Sequence, residues 1–252
     1  MKKIIKKIFE LFNIGILHND RLKQLKEFQK DASFILELPK HQLAKLVEIK
    51  EKSKAQLKQD FFVLLETNFL QNGFFVEFGA TNGLDFSNTY LLEKEYAWNG
   101  ILAEPARCFY ESIKKNRSCH IDQSCVWSAS NSYIDFVEDE SASLSTINKF
   151  KKFDHHKRVE SKTYKIQTIS LSDLLKKYNA PKKIDYLSID TEGSEFEILS
   201  NFNFNEYEFK IITCEHNFNK NREKIRNLLN KNGYIRKYSG LSNYDDWYVK
   251  IN

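Results

Sequence analysis

Phe74-Phe-Val-Glu-Phe-Gly79-Ala-Thr-Asn-Gly83 marks a change of period in the chain. Five apolar or buried-type residues in a row suit a strand covered on both faces, and two glycines close together then suit a tight turn. Before this stretch, residues 1–70 read as helical throughout, with Leu, Phe and Val recurring every three or four residues and a break at Pro39. After it, further strands are predicted at Gly100–Glu104, near 119–122, at Ser132–Val137, Ile184–Asp190 and Lys210–Cys214, and finally at 234–239 and 247–251. Helices are predicted between them at Asn88–Tyr96, about 106–116, Thr168–Tyr178, 194–200 and 221–232. Strands alternating with helices predict an α/β fold around a mostly parallel sheet with both faces covered, the last two strands pairing antiparallel at one edge. Residues 138–163 are polar, charged and rich in Ser and Lys, and are read as a long mobile excursion of the kind that forms lids. The expected division is a helical extension over 1–70 and an α/β domain over 71–252.

Composition narrows the class of partner. Lys and Arg exceed Asp and Glu by five among 252 residues, and the surplus is spread along the chain. Nucleic-acid binders concentrate such charge on one face or in a tail, so no nucleic-acid partner is expected. Cys108, Cys119, Cys125 and Cys214 show no C-x-x-C spacing, which excludes a zinc knuckle and predicts free thiols in a reducing cytoplasm. No apolar run reaches the roughly 18 residues that a membrane span needs, and no cleavage-site pattern follows the basic start. The expected location is therefore cytoplasmic. Ile4, Ile5, Ile8, Phe9 and Phe12 share one helical face among Lys2, Lys3, Lys6 and Lys7. That helix is expected to pack on the body or on a second copy in a homodimer. Its second reading is peripheral contact with the inner face of an anionic membrane.

A glycine pair after a strand removes the Cβ atoms that would block a ligand lying on the turn, and a following helix offers free N–H groups to it. Glu104 ends the next strand about twenty residues on, where a carboxylate accepts hydrogen bonds from both hydroxyls of a ribose. Together these predict a nucleotide-like ligand. The spacing is Gly79-x-x-x-Gly83, with Thr81 where the second glycine of a G-x-G-x-x-G motif would fall. That counts against a nicotinamide-linked or nucleotide-sugar oxidoreductase, as does the lack of a Tyr-x-x-x-Lys pair on a suitable helix.

The Glu77–Gly83 turn, Glu104, and the segment Ile184-Asp-Tyr-Leu-Ser-Ile-Asp190-Thr-Glu-Gly-Ser-Glu195 resemble the FkbM family of methyltransferases. Ile211-Ile-Thr-Cys-Glu-His-Asn217 and the Gly233-Tyr and Tyr248-Val pairs extend the likeness over roughly residues 73–251. The resemblance implies a Rossmann-like class I methyltransferase fold with a mostly parallel seven-stranded sheet and an antiparallel edge strand, S-adenosylmethionine as donor, and usually O-methylation of sugars or polyketide-type products. One departure is Glu77, where the family often has Asp; the exchange keeps the anionic contact.

On that reading Glu77 holds the positive end of the methionine moiety, directly or through water. Gly79, Ala80, Thr81, Asn82 and Gly83 pass beneath the methionine and ribose, with Ser87 in the following Phe86-Ser-Asn-Thr89 segment beside them. Glu104 and Pro105 flank the ribose, and Asp122, Ser124 and Cys125 border the adenine. Asp190 and Glu215 end neighbouring strands, which in such sheets open onto one crevice. They are candidates for holding magnesium or another divalent cation, since hard cations take oxygen ligands. His216 is the metal-free candidate for general base, and the residues leave both routes open. Glu195 is read as a helix N-terminal charge. Ser143-Leu-Ser-Thr146 resembles a family segment near the acceptor pocket, and Tyr244-Asp-Asp-Trp247 is a candidate sugar-site lining. His155-His156 is read as a solvated pair. The expected acceptor is a sugar hydroxyl on a surface polysaccharide or a nucleotide-linked precursor, in a bacterium whose low-GC genome suits a Lys-, Asn- and Ile-rich chain. A non-catalytic scaffold of the same fold is the remaining alternative, and it has no need for Glu77, Glu104 and Asp190 at three strand ends.

Overall fold

The computed structural model describes residue 29 and residues 38–139, 143–151 and 160–251. The chain divides into two compact units, residues 1–47 and 48–252. The basic N-terminal helix, most of residues 20–38 and the His155-His156 pair lie outside the described residues. Of the first unit, the described part is chiefly helix α1, Lys40–Ile49, which runs into the second. Residues 53–58 are not helical, which corrects the reading of one helical run up to residue 70, and Ala55 instead forms an isolated parallel bridge with Phe86. Helix α2, Gln59–Glu66, belongs to the unit that holds the sheet, and seven of its eight residues are buried.

The strands of the second unit, in chain order, are β1 Phe74–Phe78, β2 Asn99–Ala103, β3 His120–Asp122, β4 Cys125–Trp127, β5 Tyr133–Asp139, β6 Thr146–Ile147, β7 Glu160–Ser170, β8 Lys183–Ile189, β9 Glu208–Glu215, β10 Tyr234–Lys237 and β11 Asp245–Lys250. Seven of them form one sheet in the order β10-β11-β9-β8-β1-β2-β3. The pairs β1–β2, β2–β3, β1–β8 and β8–β9 are parallel, whereas β11 is antiparallel to both β9 and β10. This is the predicted fold, and the reversed strand sits one place in from the edge. The chain order changes direction between β1 and β8, which is where ligands bind in sheets of this kind.

Both faces of the sheet are covered, so its strands read as continuous apolar runs rather than alternating ones. Val76, Phe78, Leu187, Ile189 and Ile212 pack with Leu171, Leu174 and Leu175 of α5 (Leu171–Lys177), with Ile198 and Leu199 of α6 (Glu195–Ser200), and with Ile225 and Leu229 of α7 (Arg222–Lys231). On α2, the Phe62 ring stacks on Trp247 of β11 at 4.9 Å. Helices α3, Tyr90–Tyr96, and α4, Tyr110–Asn116, follow β1 and β2.

A second sheet, β4-β7-β5-β6, takes in both ends of the expected excursion and Thr146–Ile147 within it; residues 140–142 and 152–159 lie outside the described residues. Strand β7 occupies residues 160–170, so the following helix begins at Leu171 and not at Thr168. The signal was present: in Thr163-Tyr-Lys-Ile-Gln-Thr168, Ile166 and Thr168 are buried while Thr163, Lys165 and Gln167 are exposed, an alternation of period two. The charged lysines between the apolar positions had masked it. Phe136, Ile147, Phe150, Ile166, Cys125 and Ala106 form the core beneath this sheet. Among the described residues all four cysteines are free, and no helix is long and apolar enough to cross a membrane.

Candidate active site

Strand register carries the key residues to one line. Phe78 pairs with Ala103 and with Ile189, and Ile189 pairs with Cys214. The next residue of each strand is therefore Gly79, Glu104, Asp190 or Glu215, and all four line a single cleft of about 250 Å³. Parallel strands ending in step thus place the four candidate positions side by side.

The approach at this point leaves no room for a side chain. Gly79 has φ +73°, and a Cβ built on it would lie 1.8 Å from the Asp190 carbonyl oxygen. Thr81 also adopts a positive φ, 48°, and its N–H donates to Glu104 Oε2 at 2.8 Å. The Ala106 N–H donates to Glu104 Oε1 at 2.8 Å. Each oxygen keeps a second lone pair. Burial, with Asp190 and Glu138 adding repulsion, pushes the Glu104 carboxyl up to about 7. A carboxylate held this way gains from further donors such as ribose hydroxyls, so Gly79 and Glu104 fit an adenosyl-type ligand. The helix expected at Asn88–Tyr96 is found as Tyr90–Tyr96, so the 84–89 segment separates it from the glycine turn.

Beyond the turn the cleft floor is acidic. Asp190, Glu192 and Glu215 offer carboxylate oxygens that all lie within 4.8 Å of one another. Burial and repulsion from Asp190, Glu192 and Glu195 push Glu215 well above the usual carboxylate range, and it shares a hydrogen bond with Asp190. The Thr191–Gly193 turn that presents Glu192 is pinned from outside. Thr146 Oγ1 donates to the Glu192 carbonyl at 2.9 Å, and Glu195 Oε1 accepts from Thr191 N at 3.2 Å and Gly193 N at 2.9 Å. Glu195 thus serves the turn ahead of its helix, as read from the sequence.

The structure brings Glu77, Gly79, Thr81, Glu104, Pro105, Cys125, Asp190 and Glu215 to this cleft. It leaves Ala80, Asn82, Gly83, Ser87, Asp122, Ser124 and His216 off its wall. Asn82 closes the turn, its Oδ1 accepting from Leu84 N and Asp85 N. Glu77 touches the cleft, but its oxygens accept from Ser87 Oγ at 3.0 Å, Asn88 N at 2.7 Å and Thr89 Oγ1 at 2.5 Å. Its carboxylate thus also shapes the 87–89 segment. Asp122 pairs with Ala103, so its side chain points to the α5 face, where Lys177 Nζ at 2.7 Å and Tyr178 OH at 3.1 Å donate to it. With Ser124 it lines a separate surface hollow.

His216 is the clearest correction. Alternation along β9 turns it away from Glu215. Its Nδ1 accepts from Phe218 N at 2.9 Å, and its Nε2 lies 3.7 Å from Asp246 Oδ1. Burial lowers its pKa to about 4, and it does not face the cleft, so it does not serve as base there. Asp245, Asp246 and Trp247 are likewise buried, leaving Tyr244 as the cleft-facing member of that stretch. Ser143 and Ser145 do line the cleft.

Sequence reasoning missed Glu192, Gln56, Asn88, Phe136 and Asn217 as lining residues. Glu192 stands between Asp190 and Gly193 in a segment already singled out, but its place on the cleft wall follows from a backbone with φ +56°, which the sequence does not display. Gln56 carried no signal, because its place depends on the non-helical 53–58 segment and on the Tyr244 OH that donates to its Oε1 at 2.7 Å.

The buried acids also set a pH dependence. Burial raises Glu104 and Glu195 to about 7 and Asp245 to about 8, from ordinary values of 4.5 and 3.8. A carboxyl raised in the folded state contributes stability below its unfolded pKa and loses it as pH rises through the folded value. His216 acts in the opposite sense, but only below its unfolded value of 6.5. The melting temperature of the cofactor-free protein is therefore expected to fall between about pH 6.5 and 8.5. A thermal scan that is flat or rising over that window would contradict these assignments.

The chain matches the methyltransferase FkbM domain over residues 77–236. No curated protein matches it. Among solved structures it is similar to a methyltransferase FkbM from Methylobacillus flagellatus KT, at 10% identity and TM-score 0.49, covering 98% of this chain and 70% of that one. It is also similar to a precorrin-6y C5,15-methyltransferase from Geobacter metallireducens GS-15, at 10% identity and TM-score 0.40, covering 75% of this chain and 85% of that one. The matched domain spans more than half of the 252 residues and contains the glycine turn, Glu104 and all three converging carboxylates. The chain belongs to the FkbM family of S-adenosylmethionine-dependent methyltransferases.

Proposed function

We propose that the protein methylates a hydroxyl oxygen of a sugar, in a surface polysaccharide or a nucleotide-linked precursor, with the Asp190–Glu215 pair receiving the proton. The observation that carries this reading is the pair itself, two hydrogen-bonded carboxyls in the floor of the cleft, one of them strongly raised. Like charges this close hold one proton between them. The ionised oxygen is then a ready acceptor for the proton of a hydroxyl placed against it. Bound S-adenosylmethionine supplies a methyl already activated on a sulfonium, so alignment is the protein's main task.

The strand order gives the cleft two ends. Pro105, Cys125 and Glu104 lie on the β2–β4 side, and Tyr244, Asn217 and Gln56 on the β9–β11 side, with Asp190 and Glu215 between. The first side holds the adenosyl group. The second joins amides and a phenol to the Phe86 ring, which is 55% exposed at φ +65°. An aromatic face beside hydrogen-bonding groups suits a ring with one apolar face and several hydroxyls.

A divalent cation on Asp190, Glu192 and Glu215 is the second form of this reading, favoured by three oxygens within 4.8 Å. It would lower the acceptor hydroxyl's pKa and orient it. The test is transfer of labelled methyl from S-adenosylmethionine to a panel of free and nucleotide-linked sugars, with magnesium or with EDTA. Label recovered as a sugar methyl ether is the expected product, and its loss in EDTA selects the cation form. Label on nitrogen, or on no sugar of the panel, contradicts the proposal.

A further inference from the structure

We infer that Arg117, which never enters the cleft, is the positioning residue that sets the shape of the cofactor-binding turn. It follows α4 in extended backbone, and its side chain is fully buried. The guanidinium lies behind the turn and reaches four of its residues. Nη1 donates to the Gly83 carbonyl at 3.2 Å and to Ser87 Oγ at 3.0 Å, Nη2 donates to Thr89 Oγ1 at 2.8 Å, and Nη1 stands 3.6 Å from Glu77 Oε2. Nε donates to Glu93 Oε2 at 2.7 Å, which ties the whole assembly to α3.

These contacts form a closed set with Glu77. The same Ser87 and Thr89 hydroxyls that receive Arg117 donate to the Glu77 carboxylate, and Asn88 between them lines the cleft and donates to Ser188 Oγ at 2.9 Å. Arg117 thus offsets a buried carboxylate and simultaneously fixes Gly83, Ser87 and Thr89 from the side opposite the ligand. Close packing leaves the turn no other arrangement on that side: a Cβ on Gly83 would sit 2.7 Å from Arg117 Cγ. Only a planar fork with donors on three nitrogens reaches all these acceptors together. A lysine keeps the charge and loses the fork.

This inference rests on the cofactor reading of the cleft, and its test separates the two. S-adenosylhomocysteine is titrated by calorimetry into the wild type, Arg117→Lys, Thr89→Val and the Arg117→Lys/Thr89→Val double variant. Leu229→Ala, in the core beneath α7 on the opposite side of the sheet, serves as a control for destabilisation alone. Expected are binding by the wild type, weakening of about tenfold in Arg117→Lys, a smaller loss in Thr89→Val, and a double variant no worse than Arg117→Lys. Leu229→Ala is expected to melt earlier yet bind as the wild type does. Should Arg117→Lys fail to fold, Thr89→Val carries the test, because Thr89 makes no helix-cap hydrogen bond whose loss would confuse it. Wild-type binding with unchanged affinity in Arg117→Lys and Thr89→Val overturns the inference alone, as does equal weakening in Leu229→Ala. Absence of wild-type binding overturns the cofactor reading and this inference together.

Discussion

Replacing Gly79 by alanine is expected to cost about 4 kcal/mol or more of folding stability and to abolish S-adenosylhomocysteine binding. The cause is local. The added Cβ would lie 1.8 Å from the Asp190 carbonyl oxygen, an approach no side chain tolerates, at a backbone φ of +73° that favours glycine. Relief requires the ends of β1 and β8 to separate, although Phe78 and Ile189 are paired and buried immediately before them. Such a movement displaces Asp190 and the Thr81 N–H that holds Glu104, so the two ends of the cleft lose their alignment at once. Urea unfolding and calorimetry measure the two effects. A variant that folds with wild-type stability and affinity would show that the strand ends are not packed as described.

Glu215→Gln is expected to behave in the opposite way towards stability. Activity should fall, towards the roughly hundredfold to ten-thousandfold that general-base catalysis supplies, because the amide breaks up the carboxyl pair that receives the proton, while the melting temperature at pH 8 holds or rises. Burial raises the Glu215 pKa, and repulsion from Asp190, Glu192 and Glu195 raises it further. An amide of the same shape removes that repulsion and leaves the fold intact. Loss of activity with unchanged or improved stability is the mark of a group kept for chemistry at the expense of the folded state. Methyl transfer at wild-type rate in this variant would remove Glu215 from the mechanism. An inactive variant that also melts much earlier would assign it a structural role.

What could be read in the sequence divides along a physical line. The parallel sheet and its strand ends were legible because β1 and β8 are buried on both faces, and buried strands announce themselves as unbroken apolar runs. Glu104 and Asp190 were legible for the same reason, each standing one residue past such a run. Strand β7 was not, because its apolar positions alternate with lysines and its partner β5 lies more than twenty residues away. His216 misled because a titratable residue beside Glu215 in sequence is, on an extended strand, on the other side of the sheet in space. Glu77 was legible only in part: its place at the cleft could be read from the motif, but the arginine that engages it comes from beyond the next strand, forty residues later, and no local pattern links them. Gln56 and the carboxylate role of Glu192 depend on backbone conformations that only the folded chain displays.

The central claim is that the end of the cleft bordered by Gly79 and Glu104 holds S-adenosylmethionine. Calorimetric titration of S-adenosylhomocysteine into the wild type and into Glu104→Ala tests it most directly. The account predicts binding by the wild type and an affinity at least tenfold weaker in the variant, equivalent to about 1.4 kcal/mol. Equal affinity in the two proteins, or no binding by either, would contradict it.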